Sequence, residues 1–183
     1  MTETKYDPPA LETTARQAKI ERVKNDRHQG IVVLEDIHDP HNAAAVWRSA
    51  DCFGFGKIYL IFDQEKTFNP KKVGKASSSS ANKWLDFEIF HSTTEAYAKL
   101  KQDGYKIYAT VLDKEAKDLN EISFGGGKNA IVLGNEHRGL SQVAIEGADQ
   151  KVYIPMKGMV QSLNLSVTAG ILMWEHIRQI SNF

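Results

Sequence analysis

Three short segments hold the polar side chains best placed to do chemistry. The first is Asp39-Pro40-His41-Asn42-Ala43-Ala44-Ala45-Val46-Trp47-Arg48-Ser49. Asn42 follows a proline turn where a helix is predicted to begin, and asparagine is a strong N-cap. Arg48 lies six residues on, in an otherwise apolar stretch. A lone arginine there is more often an ion-pair partner than a catalyst. The second segment is Gly134-Asn135-Glu136-His137-Arg138-Gly139-Leu140-Ser141, directly after the apolar run 129–133. Two glycines five apart let backbone approach a ligand closely, and Ser141 can cap the next helix. A P-loop is excluded, because no Lys-Ser/Thr pair follows Gly139.

The third segment is Ile154-Pro155-Met156-Lys157-Gly158-Met159-Val160-Gln161-Ser162-Leu163-Asn164-Leu165-Ser166. A strand ends at proline, a glycine-bearing loop follows, and a helix begins near Ser162 or Asn164. Ser162, Asn164 and Ser166 alternate with apolar residues at the mouth of that helix. One cap needs only one of them.

The elements that must position these segments read as strands and helices in alternation. Strands are predicted over 31–35, 57–62, 84–90, 106–112, 129–133 and 151–155 from short runs rich in β-branched and aromatic residues. Helices are predicted over 11–27, 42–53, from the capping box at Ser92 to Gly104, 141–147 and 164–180. This order predicts an α/β fold with a parallel sheet flanked by helices. Such sheets bind ligands at the carboxyl ends of their strands, and all three segments fall just after a predicted strand.

Composition limits the classes of function. Lys plus Arg numbers 23 and Asp plus Glu 23, so the chain has no net charge with which to coat a nucleic acid. Two local patches stand out. Residues 16–28 carry Arg16, Lys19, Arg22, Lys24 and Arg27 against Glu21 and Asp26, and residues 71–83 carry Lys71, Lys72, Lys75 and Lys83 with no acid. Either run alone reads as a solvated face; together, beside a candidate site, they point to RNA contact. The single Cys52 excludes an intrachain disulfide and a multi-cysteine zinc site, and no metal site is expected. No apolar run reaches the roughly 20 residues of a membrane helix, and the first residues lack the features of a signal peptide. A cytoplasmic location is the expectation.

The order N-x-x-x-x-x-R, G-x-E-x-x-G, P-x-x-G-x-x-x-S-L-N-x-S resembles the three-motif signature of the SpoU (TrmH-like) RNA 2′-O-ribose methyltransferases of the SPOUT superfamily. The likeness spans about residues 16–180 and is strongest to the branch that acts on tRNA guanosine. It implies an S-adenosylmethionine-dependent enzyme with a deep trefoil knot near 130–175, a device that sequence logic alone would not propose. It also implies a homodimer whose site is completed across the interface. Cofactor contacts, largely from the main chain, would come from Thr110, Leu133, Gly134, Ile154, Met156, Ser162 and Leu163. Arg48 would act on the ribose hydroxyl. A guanidinium keeps its proton, so Arg48 would polarise the hydroxyl while an RNA phosphate takes the proton. Asn42, Glu136, Ser162 and Asn164 would support it, with Glu136 holding Arg48 by a bidentate bond.

Residues 1–28 would form a tail and helix that touch RNA, and 29–183 the methyltransferase domain. Beyond the motif-three helix the chain shows little of the RNA-touching extension of several relatives. RNA contact is therefore expected from Arg22, Lys24, Arg27, Lys71, Lys72 and Lys75. Ribosomal RNA is the alternative substrate, and RNA binding without catalysis a further one.

Overall fold

The computed structural model describes residues 10–73 and 81–180, without the side chains of residues 10–14, 16, 19 and 24. The elements run α1 (Ala10–Asn25), β1 (His28–Glu35), α2 (Pro40–Cys52), β2 (Phe55–Ile61), β3 (Asp86–Phe90), α3 (Thr93–Gln102), β4 (Lys106–Thr110), β5 (Lys117–Asp118), β6 (Asn129–Leu133), α4 (Gln142–Gly147), β7 (Gln150–Tyr153) and α5 (Leu165–Ile180). The seven strands form one sheet in the order β3-β2-β1-β6-β4-β7-β5, parallel throughout. The α/β reading from sequence therefore holds. The two-residue strand β5 was not foreseen, because it is too short to carry a period.

Helices cover both faces, and residue alternation within the central strands assigns them. Val32 and Leu34 of β1 and Ile131 and Leu133 of β6 pack with α2 and α5. Ile31, Val33, Ala130 and Val132 point the other way, toward Ala96, Tyr97 and Leu100 of α3 and Ala144 of α4. In α2 the buried set Ala43, Val46, Trp47 and Ala50 recurs at helical spacing, giving one apolar stripe. Helix α3 starts where the capping box placed it, with Ser92 Oγ accepting the Glu95 N–H.

Helix α5 has a sequence that is apolar around much of its girth. In the single chain Leu165, Ala169, Leu172, Met173 and Ile177 are buried, while Val167 and Trp174 lie half-exposed on the opposite face.

One histidine is enclosed in the core. His176 has no exposed surface. Its Nε2 lies 3.2 Å from Asn129 Nδ2 and so accepts from that amide. Its Nδ1 has no hydrogen-bond partner. The His28 ring lies 5.1 Å away, and Phe55 and Phe124 close the cluster. Burial pushes the His176 pKa down to about 4, with the neighbouring His28 adding to the shift.

Candidate active site

The three segments meet at the carboxyl ends of the strands. The first helix in that region is capped by Asp39, whose carboxylate accepts the His41 N–H at 2.8 Å, and Pro40 fills the first turn. Asn42 is therefore not the cap that its position suggested. It lies inside the first turn, and its carboxamide is free to work at long range.

That carboxamide links all three segments. Asn42 Nδ2 donates to Glu136 Oε1 at 2.8 Å, and Asn42 Oδ1 accepts from Asn164 Nδ2 at 3.2 Å. Asn164 immediately precedes α5, and its Oδ1 accepts the N–H and hydroxyl of Ser166 at 2.9 and 2.7 Å. Glu136 also receives the backbone N–H groups of His38 and Asp39 at 2.9 and 3.2 Å. Partial burial pushes the Glu136 carboxyl upward, but the donors from Asn42, His38 and Asp39 outweigh it and hold the pKa below the usual carboxylate value. An anion so placed also suits the positive end of α2.

The expected bond from Glu136 to Arg48 does not form: the Glu136 carboxylate is turned to the start of α2, while Arg48 lies at an exposed position further along that helix. Arg48 is exposed on α2 and does not line the cleft described below.

The second segment closes on itself. Asn135 and Gly139 exchange backbone hydrogen bonds at 3.1 and 2.9 Å. A Cβ on Gly134 would stand 2.4 Å from the Gly139 carbonyl carbon and the Leu140 nitrogen. The glycine spacing thus serves the approach of backbone to backbone rather than to a ligand alone. Asn135 Oδ1 accepts the N–H groups of His137 and Arg138, and its amide donates to Asp36 O at 2.7 Å.

Between these loops lies a cleft of about 990 Å³. Thr110, Leu133, Gly134, Ile154, Met156, Ser162 and Leu163 all line it, with Asn42, Glu136 and Asn164. Every residue carried over as a cofactor contact therefore faces one cavity. Apolar residues such as Leu133, Ile154, Leu163 and Leu172 line it together with polar ones such as Asn42, Glu136 and Asn164, the usual make-up of a site for a ligand of cofactor size.

Sequence reasoning missed Asp36 and Glu65. Asp36 has a positive φ of 50°, and its Oδ1 accepts the N–H groups of Asp63, Gln64 and Glu65 at 2.8, 3.0 and 3.0 Å. Aspartate tolerates that backbone region, and its place at a strand end was the one available signal.

The basic patches prove thinner than their sequence suggested. Arg27 is 11% exposed, and its guanidinium donates to Trp84 O at 2.7 Å and Asp51 at 3.0 Å. The Lys71 ammonium donates to Asn82 O and Leu85 O, both at 2.9 Å, and stands over the Phe87 ring. Both side chains tie the fold together. Lys72 is exposed, and Arg22 is exposed beside Asp26. The Lys24 side chain and Lys75 lie outside the described residues.

Fold and site together define a parallel α/β protein with a ligand cleft at its strand carboxyl ends, built from three sequence-distant loops. The chain belongs to the SpoU rRNA Methylase family, whose model matches residues 29–174. It is 35% identical over 170 residues to the tRNA (guanosine(18)-2′-O)-methyltransferase of Thermus thermophilus, covering 91% of this chain and 84% of that one. The crystal structure of the TrmH/SpoU tRNA modifying enzyme of A. aeolicus superposes with a TM-score of 0.80 at 30% identity, over 90% of this chain and 84% of that one. The SpoU methyltransferase AviRb of Streptomyces viridochromogenes, solved in complex with AdoMet, superposes with a TM-score of 0.69 at 25% identity, over 84% of this chain and 58% of that one.

Proposed function

We propose that this chain methylates a ribose 2′-hydroxyl of RNA, with a tRNA guanosine as target and S-adenosylmethionine as methyl donor. The observation that carries the reading is the Asn164–Asn42–Glu136 chain of hydrogen bonds along the wall of a cleft lined by all seven expected cofactor contacts. The substrate class follows from the Thermus thermophilus relative and the A. aeolicus neighbour.

The residues present fit the donor. Main-chain groups at Thr110, Leu133, Gly134, Ile154, Met156, Ser162 and Leu163 would hold it, and their small or apolar side chains would wall the adenine. When bound, S-adenosylmethionine supplies a methyl group on a sulfonium. The protein must bring the ribose hydroxyl into line with it. Asn42 and Asn164 fix the wall of the cleft, and Glu136 fixes the start of α2 against it. Arg48 keeps its proton and polarises the hydroxyl, and an RNA phosphate receives the proton.

The C-terminal part, near 130–175, is threaded as a deep trefoil knot, and residues 1–28 with 29–183 divide into an RNA-contacting segment and a catalytic domain. The active form is a homodimer. Val167 and Trp174 on the outer face of α5, with Met159 almost fully exposed in the preceding loop, supply an apolar surface for it. Phe53, just past the end of α2, touches the Trp174 ring, so that surface adjoins the helix that carries Arg48. Arg48, absent from its own cleft, completes the partner's.

The test is incubation with labelled S-adenosylmethionine and separate tRNA and rRNA pools, with mapping of the methylated ribose. Label on rRNA alone would replace the tRNA assignment, and no label on either would sink the reaction. Mixing Arg48→Ala with Asn164→Ala protein should restore activity that neither shows alone.

A further inference from the structure

We propose that Arg138 grips a backbone phosphate of the RNA at the lip of the cleft, and that Glu65 positions it. The proposal rests on RNA being the substrate. The second segment turns its charges in two directions. Glu136 points inward to Asn42, while Arg138, two residues on, reaches across to Glu65 in the loop after β2. Arg138 lines the cleft with about half of its side chain exposed.

Both ends of this pair are held by other contacts. Asn135 accepts the Arg138 N–H, and the Asn135–Gly139 backbone pair closes the turn around it. On the other side, the Asp36 carboxylate gathers three successive N–H groups, that of Glu65 among them. Asp36 is joined in turn to Asn135 through its carbonyl, so Asp36, Glu65, Arg138 and Asn135 form a closed ring of contacts. Such a ring sets the guanidinium at one place relative to Asn42.

The guanidinium is not used up by its carboxylate. Arg138 approaches Glu65 most closely from Nη1 to Oε1, at 2.8 Å, without the two parallel bonds made by a guanidinium saturated by a carboxylate. A free edge remains for a planar, two-oxygen acceptor, which a phosphodiester provides. His38 Nδ1 lies 3.4 Å from Glu65, and the His38 and His137 rings meet edge to face at 5.6 Å. As a clasp for the fold alone the pair would contribute little, since half-exposed ion pairs rarely stabilise.

The experiment measures binding of a tRNA pool at several salt concentrations, with adenosylhomocysteine calorimetry beside it. Arg138→Ala should weaken tRNA binding about tenfold and reduce the log–log salt slope by about 0.9, the loss of one phosphate contact. Adenosylhomocysteine affinity should not move. Arg138→Lys should regain the slope but not the full affinity, for want of the planar fork. Glu65→Gln should raise KM for tRNA with little change in kcat, and add nothing in the Arg138→Ala background. Wild-type affinity and slope in Arg138→Ala would overturn the contact, as would a loss of thermal stability with unchanged RNA binding. Additive effects of the two substitutions would remove Glu65 from its role. A wild-type protein that transfers no methyl group, yet binds tRNA through Arg138, would sink the reaction and keep the contact.

Discussion

Asn42 and Glu136 lie 94 residues apart in sequence and are joined by a 2.8 Å hydrogen bond from the asparagine amide to the carboxylate. The bond fixes the start of α2 to the loop after β6. It also leaves Asn42 Oδ1 facing Asn164, so three loops hold one another in register.

Glu136→Gln should cost about 1–3 kcal/mol of stability, because two backbone N–H groups and one amide lose an anionic acceptor. Turnover should fall at least about tenfold as the wall loosens. The pH dependence has a fixed sign. The folded-state pKa of Glu136 is depressed, so its stabilisation is complete above the unfolded carboxylate value and is lost as pH falls through the folded one. Denaturant melts of wild type and Glu136→Gln should converge at the acid end; parallel curves down to the lowest pH would contradict the assignment.

Arg48→Ala should abolish methyl transfer while adenosylhomocysteine still binds with near wild-type affinity, since the role proposed for Arg48 is toward the ribose hydroxyl and not toward the cofactor. Arg48→Lys should fail too, because one ammonium cannot replace the planar fork. Single-turnover kinetics with saturating cofactor would check both, and wild-type rates in either would refute the role.

Lys71 and Lys72 are adjacent but should behave differently. Lys71→Ala frees two part-buried carbonyl acceptors and should lower stability by about 1 kcal/mol. Lys72→Ala, exposed like Lys71 but without its carbonyl partners, should leave stability within about 0.5 kcal/mol and act only on the salt dependence of RNA binding. Thermal melts and salt titrations of the two variants separate these effects. Equal melting points would show that Lys71 is not part of the fold's framework.

His176 should make the protein acid-labile. Its folded pKa of about 4 lies below the ordinary 6.5, so below 6.5 the unfolded chain binds a proton that the folded one refuses. Stability should fall by about 2 kcal/mol between pH 7 and pH 5, and His28, also shifted down by burial, adds in the same direction. Urea melts at the two pH values would measure this. His176→Leu should flatten the dependence, and an unchanged slope in that variant would assign the acid sensitivity elsewhere.

Much of this architecture was legible because its signals are local. The buried strands announce themselves as short β-branched runs, and Ser92 and Ser141 cap the helices that their spacing predicts. The cleft was legible as a set, since all seven expected cofactor contacts line it. What sequence misjudged was partnership. The alternative of Asn42 as a helix cap fails, because Asp39 before Pro40 takes that position. Arg27 read as surface charge, although it is enclosed and a backbone carbonyl far along the chain claims its donor; Lys71 is exposed as expected, yet its ammonium is taken by two carbonyls. Glu65 gave no signal at all, because its tie to Asp36 joins a side chain to backbone 29 residues away and follows no period.

Helix α5 has a consequence for how the protein can be watched. Leu165 and Leu172 face the cleft, while Trp174 faces outward on the far side of the same helix. Trp47 is fully buried, so of these two indoles only that of Trp174 is open to a change of surroundings. One helix thus walls the cleft on its inner side and carries a natural fluorophore on its outer surface. Fluorescence from Trp174 can report whatever covers that surface, and any influence of such a cover on ligand affinity in the cleft must be matched by an equal influence in return.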